Sequence, residues 1–397
     1  MIAPVISCTV AAVTPVYLDC AATTPVEPRV TEEIVRYLER DFGNAGSRTH
    51  QFGGEARRAV ERSRDRVAAV VGASRGEVIF TSGATESNNL AILGLAAHGE
   101  ATGRRHVVST SIEHHAVLEP IAELSRRGFT VDLIAPERSG VVNASDVLAA
   151  VRPDTLLVSL MHVNNETGMR QPIAEVAAAL ESSDTLLHVD AAQSFGRELD
   201  ALRHPGIDLI SVSAHKIFGP KGIGALIARR RRGERPPIAP LMHGGGQERG
   251  LRPGTLPVHQ IAGFGKAAEI AIEEAAARVE RCRVFREQLL NGLKPLGVVV
   301  NGDPQTGVAH IVNLAIPGLE AETLIELWEP WVAISQGAAC TSQSYTCSHV
   351  LSAMGLPSWQ RDGAVRLSWC HLTPMPDVAA MVAAAAAASR PVGSHSL

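Results

Sequence analysis

The region between residues 78 and 228 contains seven short apolar strand patterns, with helical segments between most of them. Right-handed βαβ units have this order, and they build a parallel or mostly parallel sheet covered by helices. Aromatic residues are only 4% of the chain, and small aliphatic residues dominate, as is typical of helices on such a sheet. The sequence therefore predicts a soluble α/β protein. The predicted strands are Val78 to Phe80, His106 to Ser109, Thr130 to Ile134, Thr155 to Leu160, Thr185 to Val189, Asp208 to Ser213 and Ile223 to Ala228.

The length of 397 residues is too great for one ordinary hydrophobic core, so we expect two domains. The pattern changes near Thr255, where a helical stretch from about His259 to Leu293 leads into a smaller alternating unit. That unit contains two predicted strands, Ala309 to Ile316 and Ala364 to Ser368. The predicted division is an N-terminal extension (1–15), an arm that joins the small domain (16–28), a large domain (29–258) and a small domain (259–397).

The formal net charge is −4, so no overall positive field attracts nucleic acid. No apolar run reaches the length of about 18 residues that spans a bilayer, and the segment from Met1 to Thr14 lacks the basic start of a secretory signal. We therefore expect a cytoplasmic protein that binds neither nucleic acid nor membrane directly. The six cysteines form no C-x-x-C pair, which favours reduced thiols over a disulfide scaffold or a metal site.

The segment Ser213-Ala-His-Lys216 follows an apolar β-branched run and precedes a Gly/Pro turn. A lysine at the mouth of a buried strand is partly desolvated, which lowers its pKa and frees the amine as a nucleophile. The chain has only four lysines, at 216, 221, 266 and 294, and Lys216 alone has this setting. It is our candidate for a lysine that traps a carbonyl group, although a surface lysine is the ordinary alternative.

Small and polar residues follow the first predicted strand, in the segment Thr81 to Asn88. Small residues allow the backbone to approach an anion, and a helix that opens near Thr85 would direct N–H groups and a positive dipole end at a phosphate. An ordinary Ser/Thr helix cap would look similar, so this segment leaves both interpretations open.

Three further strand ends carry candidate site residues, because ligands of open α/β sheets bind at this edge. Asp190 could keep a pyridine nitrogen protonated, as an electron sink requires, or it could cap a helix. Asn165 could bond a ring substituent, or it could belong to a turn. His114 or His115 could lie over an aromatic cofactor and move protons near neutral pH, whereas a lone histidine is more often structural.

Two loops complete the candidates. The glycine-rich segment from His243 to Thr255 lacks the strand and helix frame of a dinucleotide site. The segment from Ile334 to Cys347 is small and polar and carries Cys340 with nothing apolar to bury it. An exposed thiol is oxidation-prone and invites a chemical explanation, so Cys340 is the candidate nucleophile. Cys347 is the weaker candidate because it directly precedes a helix that we predict from about Ser348.

These motifs together resemble the group I cysteine desulfurases, which are pyridoxal-phosphate enzymes of the class V aminotransferase type. The resemblance covers about residues 16 to 385 and implies fold type I, a large domain with a mostly parallel seven-stranded sheet plus a smaller α/β domain. The matching segments are Tyr-Leu-Asp-x-Ala-Ala-Thr-Thr-Pro, Phe-Thr-Ser-Gly-Ala-Thr-Glu-Ser-Asn-Asn, Met-His-Val-Asn-Asn-Glu-Thr-Gly, His-Val-Asp-Ala-Ala-Gln-Ser, Ser-Ala-His-Lys and His-Gly-Gly-Gly-Gln-Glu-Arg-Gly-Leu-Arg-Pro-Gly-Thr.

The resemblance implies L-cysteine as substrate, pyridoxal 5'-phosphate as cofactor, and Lys216, Cys340 and His114 as catalytic residues. The Lys216 amine removes the Cα proton, and the Cys340 thiolate attacks the substrate sulfur, which leaves a persulfide on Cys340 and alanine as product. The implied contacts are a Schiff base at Lys216, His114 over the ring, Asp190 at the pyridine nitrogen, Asn165 and Gln193 at the ring substituents, Ala84, Thr85, Ser213 and His215 at the phosphate, Thr255 from the second subunit of a homodimer, and Arg366 at the substrate carboxylate.

Two features depart from the family pattern. Cys370-His371 replaces the Gly-Arg that members often carry after the Arg-x-Ser segment, so the role of a second positive group there is in doubt. The chain also lacks the longer tail after about Ala388 that housekeeping members use to dock an iron-sulfur scaffold. The sulfur acceptor could therefore serve iron-sulfur assembly, tRNA thiolation or DNA phosphorothioation. The alternatives to a desulfurase are a selenocysteine lyase or aminotransferase of the same fold, and a partner protein without catalysis.

Overall fold

The computed structural model describes residues 14–304, 306–336 and 348–388. In chain order the strands are β1 (Val16–Tyr17), β2 (Val78–Thr81), β3 (His106–Thr110), β4 (Thr130–Ile134), β5 (Thr155–Met161), β6 (Leu186–Asp190), β7 (Leu209–Ser213), β8 (Gly224–Ala228), β9 (Val299–Val300), β10 (Ile311–Ala315), β11 (Val332–Ala333) and β12 (Val365–Ser368). The α-helices are α1 (Pro28–Glu39), α2 (Gln51–Val70), α3 (Ala84–Leu93), α4 (Ala96–Thr102), α5 (His115–Arg126), α6 (Ala144–Ala149), α7 (Ile173–Leu180), α8 (Val258–Glu273), α9 (Ala275–Leu293), α10 (Ala321–Trp328), α11 (His349–Ala353), α12 (Ser358–Asp362) and α13 (Val378–Ala388).

The central sheet has seven strands in the order β2-β8-β7-β6-β5-β3-β4, which confirms the predicted fold class. β8 runs antiparallel to both of its neighbours, and the other adjacent pairs are parallel. All seven predicted strands are present, with ends shifted by a residue or so. β5, β7 and β8 are buried throughout because helices cover both faces of the sheet, whereas the edge strand β4 is partly exposed.

Two hydrophobic cores lie on the two faces of this sheet. One core joins the inward side chains of the strands to α2 and α8, as in Val67 and Phe264. The other joins the opposite strand faces to α3 and α5, as in Leu90 and Leu124. Successive side chains along each strand point to opposite faces of the sheet, so each strand contributes to both cores. A shift of one residue would exchange the two faces, and this requirement fixes the register of the sheet.

A second unit contains an antiparallel sheet in the order β12-β10-β9. Its core packs α9, α10 and α13 around Trp328 and Trp369, which are both fully buried. The predicted helical stretch 259–293 is two helices, of which α8 packs in the large core and α9 in the small one. The first residues of the arm join this unit because β1 pairs in parallel with β11. The proposed domain limits remain a prediction.

The glycine-rich excursion 243–255 is fixed to the large unit by a buried ion pair. The Glu248 carboxylate accepts two hydrogen bonds from the Arg64 guanidinium of α2, one of them at 2.7 Å, and a third from the backbone N–H of Phe80 at 2.8 Å. Both side chains of the pair are at most 5% exposed. Glu248 and Arg249 adopt positive φ angles of 49° and 60°, a strained backbone that this pair holds in place.

Within the described residues, no helix combines the length and the apolar character that crossing a membrane requires. The longest of them, α2, carries arginine and glutamate along its length. This finding agrees with the absence of an apolar run in the sequence.

We expect Glu248→Gln to destabilise the protein by about 3–5 kcal/mol, because it leaves the Arg64 charge buried without a counter-charge. Urea denaturation of the holoprotein, followed by circular dichroism, measures this change. The matched control is Glu280→Gln, which removes an exposed partner of Arg283 on α9 and should leave the midpoint unchanged. Equal effects of the two substitutions would contradict the assignment.

Candidate active site

A cavity of about 580 Å³ opens where the strands of the large sheet end. The carboxyl ends of parallel strands meet at one edge of a sheet, so residues that follow β3, β5, β6 and β7 converge there. Ten of the residues predicted from the sequence line it: Ala84, Thr85, His114, Asn165, Asp190, Gln193, Ser213, His215, Lys216 and Arg366. Thr255 instead lines a different cavity of the same chain. Cys340 lies outside the described residues.

Lys216 ends a short 3-10 turn, Ala214–Lys216, directly after β7. Its Nζ donates hydrogen bonds to the backbone carbonyls of Ala21 and Ala22, the latter at 2.8 Å. The amine therefore lies against the N-terminal arm, which reaches the cavity from the far side. The arm is locked there by Thr24, whose hydroxyl donates to the His215 carbonyl at 2.9 Å and accepts from the Phe218 N–H at 2.9 Å.

The N-terminal end of α3 forms an anion cradle at one end of the cavity. Its first residues, Ala84 and Thr85, follow Gly83, which has a φ of 158° and lies beside the Ser213 hydroxyl. The free N–H groups and the dipole of this helix end favour a phosphate, and the Ser213 and Thr85 hydroxyls add donors. His215 lines the same region, with Nδ1 3.1 Å from the Thr23 hydroxyl. Burial lowers the pKa of His215 to about 4, so it is neutral near pH 7.

Asp190 ends β6 and presents an oriented carboxylate. Oδ1 accepts the Ala192 N–H at 2.9 Å, and Oδ2 accepts the Asn88 side-chain amide at 2.8 Å. Asn88 is fully buried, and its Oδ1 has no hydrogen-bond partner among the described residues. A carboxylate oriented by two donors can pair with the N–H of a protonated ring nitrogen.

His114 caps helix α5 from the edge of the cavity. Its Nδ1 accepts the backbone N–H of Ala116 at 3.0 Å, which leaves the proton of the neutral ring on Nε2. Burial is the main cause that lowers the pKa of His114 below its ordinary value. The ring is therefore neutral and rigidly placed, as a surface that stacks on a flat cofactor must be.

Arg366 crosses from β12 of the small unit into the cavity and is only 3% exposed. Its Nη2 donates to Asp19 Oδ1 at 2.6 Å and to the Ser335 hydroxyl at 2.9 Å. Its Nη1 donates to the backbone carbonyl of Asn165 at 3.0 Å. The guanidinium is thus fixed in direction, which suits recognition of a carboxylate by two parallel bonds.

Sequence reasoning missed several residues that build this site. Asp19, Ala21 and Ala22 hold Arg366 and Lys216, and Asn88 orients Asp190. Asn88 lay within a recognised motif, and its burial after a strand was a usable signal. The carbonyls of Ala21 and Ala22 carry no side-chain signal at all.

A buried carboxyl, Glu113, was also missed. Its Oε1 accepts bonds from the Thr110 hydroxyl at 2.7 Å and the Met161 N–H at 2.9 Å, while burial raises its pKa to about 8. Its backbone carbonyl lies 2.9 Å from Nε2 of His349, the first residue of α11. Glu113 therefore ties the strand end that carries His114 to α11, whose Val350 and Leu351 pack in the large core.

These residues fit pyridoxal 5'-phosphate, the group that the sequence resemblance implies. The cavity offers a primary amine, an anion cradle at a helix end, a carboxylate for a ring nitrogen and a neutral imidazole face. The separate positions of these groups around one cavity match the separate functional groups of that cofactor. A guanidinium remains at the small-unit side for a substrate carboxylate.

Comparisons with known proteins give the same assignment. Residues 16–381 match the family profile described as aminotransferase class-V. The cysteine desulfurase IscS of Escherichia coli O139:H28 is 46% identical over 362 residues, which cover 90% of this chain and 89% of IscS.

Two solved structures are also similar. DndA from Streptomyces lividans has a TM-score of 0.79 and 50% identity over 89% of this chain and 99% of its own. A NifS-like protein has a TM-score of 0.85 and 36% identity over 95% of this chain and 98% of its own. This chain therefore belongs to the class-V aminotransferase family and, within it, to the pyridoxal-phosphate-dependent cysteine desulfurases.

Proposed function

We propose that this cysteine desulfurase converts L-cysteine to L-alanine with Lys216 as the base, Arg366 as the carboxylate clamp and Cys340 as the sulfur acceptor. One observation carries the assignment of the first two. One short segment of the arm, residues 19–22, holds both Lys216 and Arg366. Asp19 is bonded to Arg366, and the carbonyls of Ala21 and Ala22 are bonded to Lys216. An amine and a guanidinium fixed together in this way can act on one amino acid, the guanidinium by binding its carboxylate and the amine by removing its Cα proton.

Substrate binding falls to Arg366. Asp19, Ser335 and the Asn165 carbonyl occupy one side of its guanidinium and fix its plane. A fixed guanidinium forms two parallel bonds to a carboxylate at little cost in conformational entropy. The α-carboxylate of cysteine would therefore set the orientation of the amino acid within the cavity.

Proton transfer falls to Lys216. Bound pyridoxal phosphate supplies an electron sink for the pair that remains when the Cα proton leaves. The Lys216 amine would accept that proton, and the two arm carbonyls give the amine a defined resting position in the cavity. The Asp190 carboxylate, oriented by its two donors, would face the ring nitrogen, and the His114 ring would cover one face and exclude water.

Sulfur transfer is assigned to Cys340. The thiolate attacks the sulfur of the substrate, the carbon–sulfur bond breaks, and a persulfide forms on Cys340 as alanine is released. Described residues on either side of 337–347 are held by Arg366, which lines the cavity, and by Glu166, the chain neighbour of the lining residue Asn165, which supports this role. Ser335 bonds to Arg366, and the Ser348 hydroxyl donates to Glu166 Oε2 at 2.6 Å.

We propose that the enzyme works as a homodimer in the cytoplasm. Thr255 is exposed and lies outside the cavity of its own chain, which supports a role at the phosphate cradle of a second subunit. The buried Arg64–Glu248 pair would hold its loop ready for that contact. The persulfide sulfur then passes to an acceptor protein of iron-sulfur assembly, tRNA thiolation or DNA phosphorothioation.

Borohydride reduction of the holoenzyme followed by peptide mapping should place a pyridoxyl group on the peptide that contains Lys216. The reason is that Lys216 is half-buried and its amine is bonded to the arm, whereas Lys221 is exposed. Lys221, which also lines the cavity, is the internal control. A pyridoxyl group on Lys221, or on neither lysine, would remove Lys216 from its role.

Cys340→Ser should abolish alanine and sulfide production from L-cysteine, while the cofactor absorbance should still change when cysteine is added. The substitution removes only the nucleophile and leaves the cavity intact. Cys347→Ser is the matched control and should keep full turnover. If Cys340→Ser turns over normally, the persulfide assignment fails and a selenocysteine lyase or aminotransferase becomes the better description.

Arg366→Lys should raise the KM for cysteine by about 10- to 100-fold, because one point charge replaces two directed bonds to a carboxylate. Steady-state alanine formation measures KM and kcat. Cysteamine lacks the carboxylate, and its binding, followed by cofactor absorbance, should be weakened much less than that of cysteine. Equal loss for both ligands would indicate general damage to the cavity.

A further inference from the structure

Two cysteine side chains contact each other behind the active site. Cys20 of the arm and Cys370, two residues after β12, form a small buried cluster with Phe218 and are 1% and 5% exposed. Their backbones are already aligned, since the Cys20 N–H donates to the Ser368 carbonyl at 3.0 Å. Both are free thiols in the described structure. The two side chains are therefore already in contact, and a bond between their sulfurs would draw the arm toward Cys370.

Hydrogen-bond donors converge on the Cys370 sulfur. The Thr373 hydroxyl donates to it at 3.5 Å, the Cys20 thiol donates to it, and the buried Arg197 guanidinium lies close by. These contacts, with the Cys20 thiol first among them, lower the pKa of Cys370 to about 6, while the same hydrogen bond raises that of Cys20. The contact therefore favours ionisation of one thiol of the pair, with the other thiol as its neighbour.

The pair adjoins a narrow cavity of about 30 Å³, with room for about one water-sized atom. Arg197, Arg278, His310 and Cys282 also line it, together with Cys370. His310 is 4% exposed, and its Nε2 has no hydrogen-bond partner among the described residues. Most of the wall is apolar, and Arg278 is paired with Glu27 and Glu274, so this is a space for one small, polarisable atom such as sulfur beside the Cys370 side chain.

We propose that Cys20 and Cys370 are a second sulfur-reactive site, at which sulfane sulfur oxidises the two thiols to a disulfide. This inference rests on the proposed function, because a desulfurase is itself the source of sulfane sulfur. One sulfur atom is transferred from the donor, and the cavity has room for that atom. The pair lies outside the large cavity, since neither Cys20 nor Cys370 lines it. Arg197, which lines the small cavity, donates to the Lys216 carbonyl at 2.9 Å.

The chemistry balances in two steps. The Cys370 thiolate attacks the terminal sulfur of a hydropersulfide, RSSH, and the sulfur–sulfur bond of the hydropersulfide breaks. RS⁻ leaves and takes up the proton that Cys370 lost when it ionised. The Cys20 sulfur then attacks the Cys370 sulfur, and the transferred sulfur leaves as hydrosulfide with the Cys20 proton as hydrogen sulfide. Two thiols have lost two electrons to one sulfane sulfur, and the products are the disulfide, RSH and H₂S.

The disulfide would act on the active site through the arm. Cys20 lies between Asp19, which holds Arg366, and Ala21, which holds the Lys216 amine. A bond from Cys20 to Cys370 displaces both neighbours by the difference between a thiol contact and a covalent bond. Misplacement of this size in a binding site lowers affinity by about tenfold or more.

The experiment uses the holoenzyme with Cys340→Ser, in which the only other sulfur-accepting thiol of the proposed mechanism is absent. Sodium tetrasulfide is added as the sulfane-sulfur donor, free thiols are alkylated, and peptides are mapped by mass spectrometry. We expect a linked pair of the peptides that contain Cys20 and Cys370, lighter than the two thiol peptides by two hydrogen atoms. The apparent Kd for L-cysteine, read from cofactor absorbance, should rise about tenfold and recover with dithiothreitol.

Three variants sharpen the result in the same background. Cys370→Ser and Cys370→Ala should lose both the linked peptide and the change in Kd, whereas Cys282→Ser, in the same cavity, should keep both. Alkylated Cys20 and Cys370 after tetrasulfide treatment would overturn the inference, as would a linked pair that leaves the Kd unchanged. Alanine formation by the wild type tests the proposed function separately, because the linked peptide forms or fails to form without turnover.

Discussion

The candidate active site depends on hydrogen bonds from two distant parts of the chain to one short segment of the N-terminal arm, to two of its backbone carbonyls and to the Asp19 carboxylate. Residues 19 to 22 accept from Lys216, about half the chain away, and from Arg366, near its end. The large sheet positions the lysine and the small sheet positions the arginine, but neither sheet sets their separation. The arm does so, because its backbone is nearly inextensible over four residues.

The arm is itself fixed at both ends. β1 pairs with β11 in the small unit, and Thr24 bonds the turn that carries Lys216. The arm therefore contacts both units. Any relative motion of the two units would change the hydrogen bonds of Asp19 and of the neighbouring carbonyls first. Lys216 and Arg366 are coupled by this geometry through the arm.

The sequence predicted the sheet and most of the cavity, because both follow from local patterns. Alternating apolar strands define the large sheet, and the polar residues after each strand must meet at its carboxyl edge. Lys216, Asp190 and His114 were identified in this way, and their places in the cavity agree with the prediction. The family resemblance added Arg366, whose strand lies in another unit and which no local pattern connects to the lysine.

Other parts of the site depend on tertiary contacts that a local pattern does not encode. Asn88 reads as one polar residue in a helix, and only the fold brings its amide to Asp190. Glu248 reads as part of a glycine-rich loop, although it is the buried partner of Arg64 from a helix nearly two hundred residues earlier. Backbone acceptors such as the Ala21 carbonyl could not be predicted from the sequence, because every amino acid has the same carbonyl group.

The double attachment of the arm also limits how this fold could be rearranged by circular permutation. New chain termini placed between residues 16 and 24 would divide the arm. Each unit would then carry a free terminus at the place where Lys216 and Arg366 are now held. The exposed hairpin around Gly233, with its positive φ of 87° and its isolated bridge from Arg231 to Glu234, is a more tolerant place to open the chain. A permuted enzyme opened there would keep the short peptide that fixes both catalytic groups.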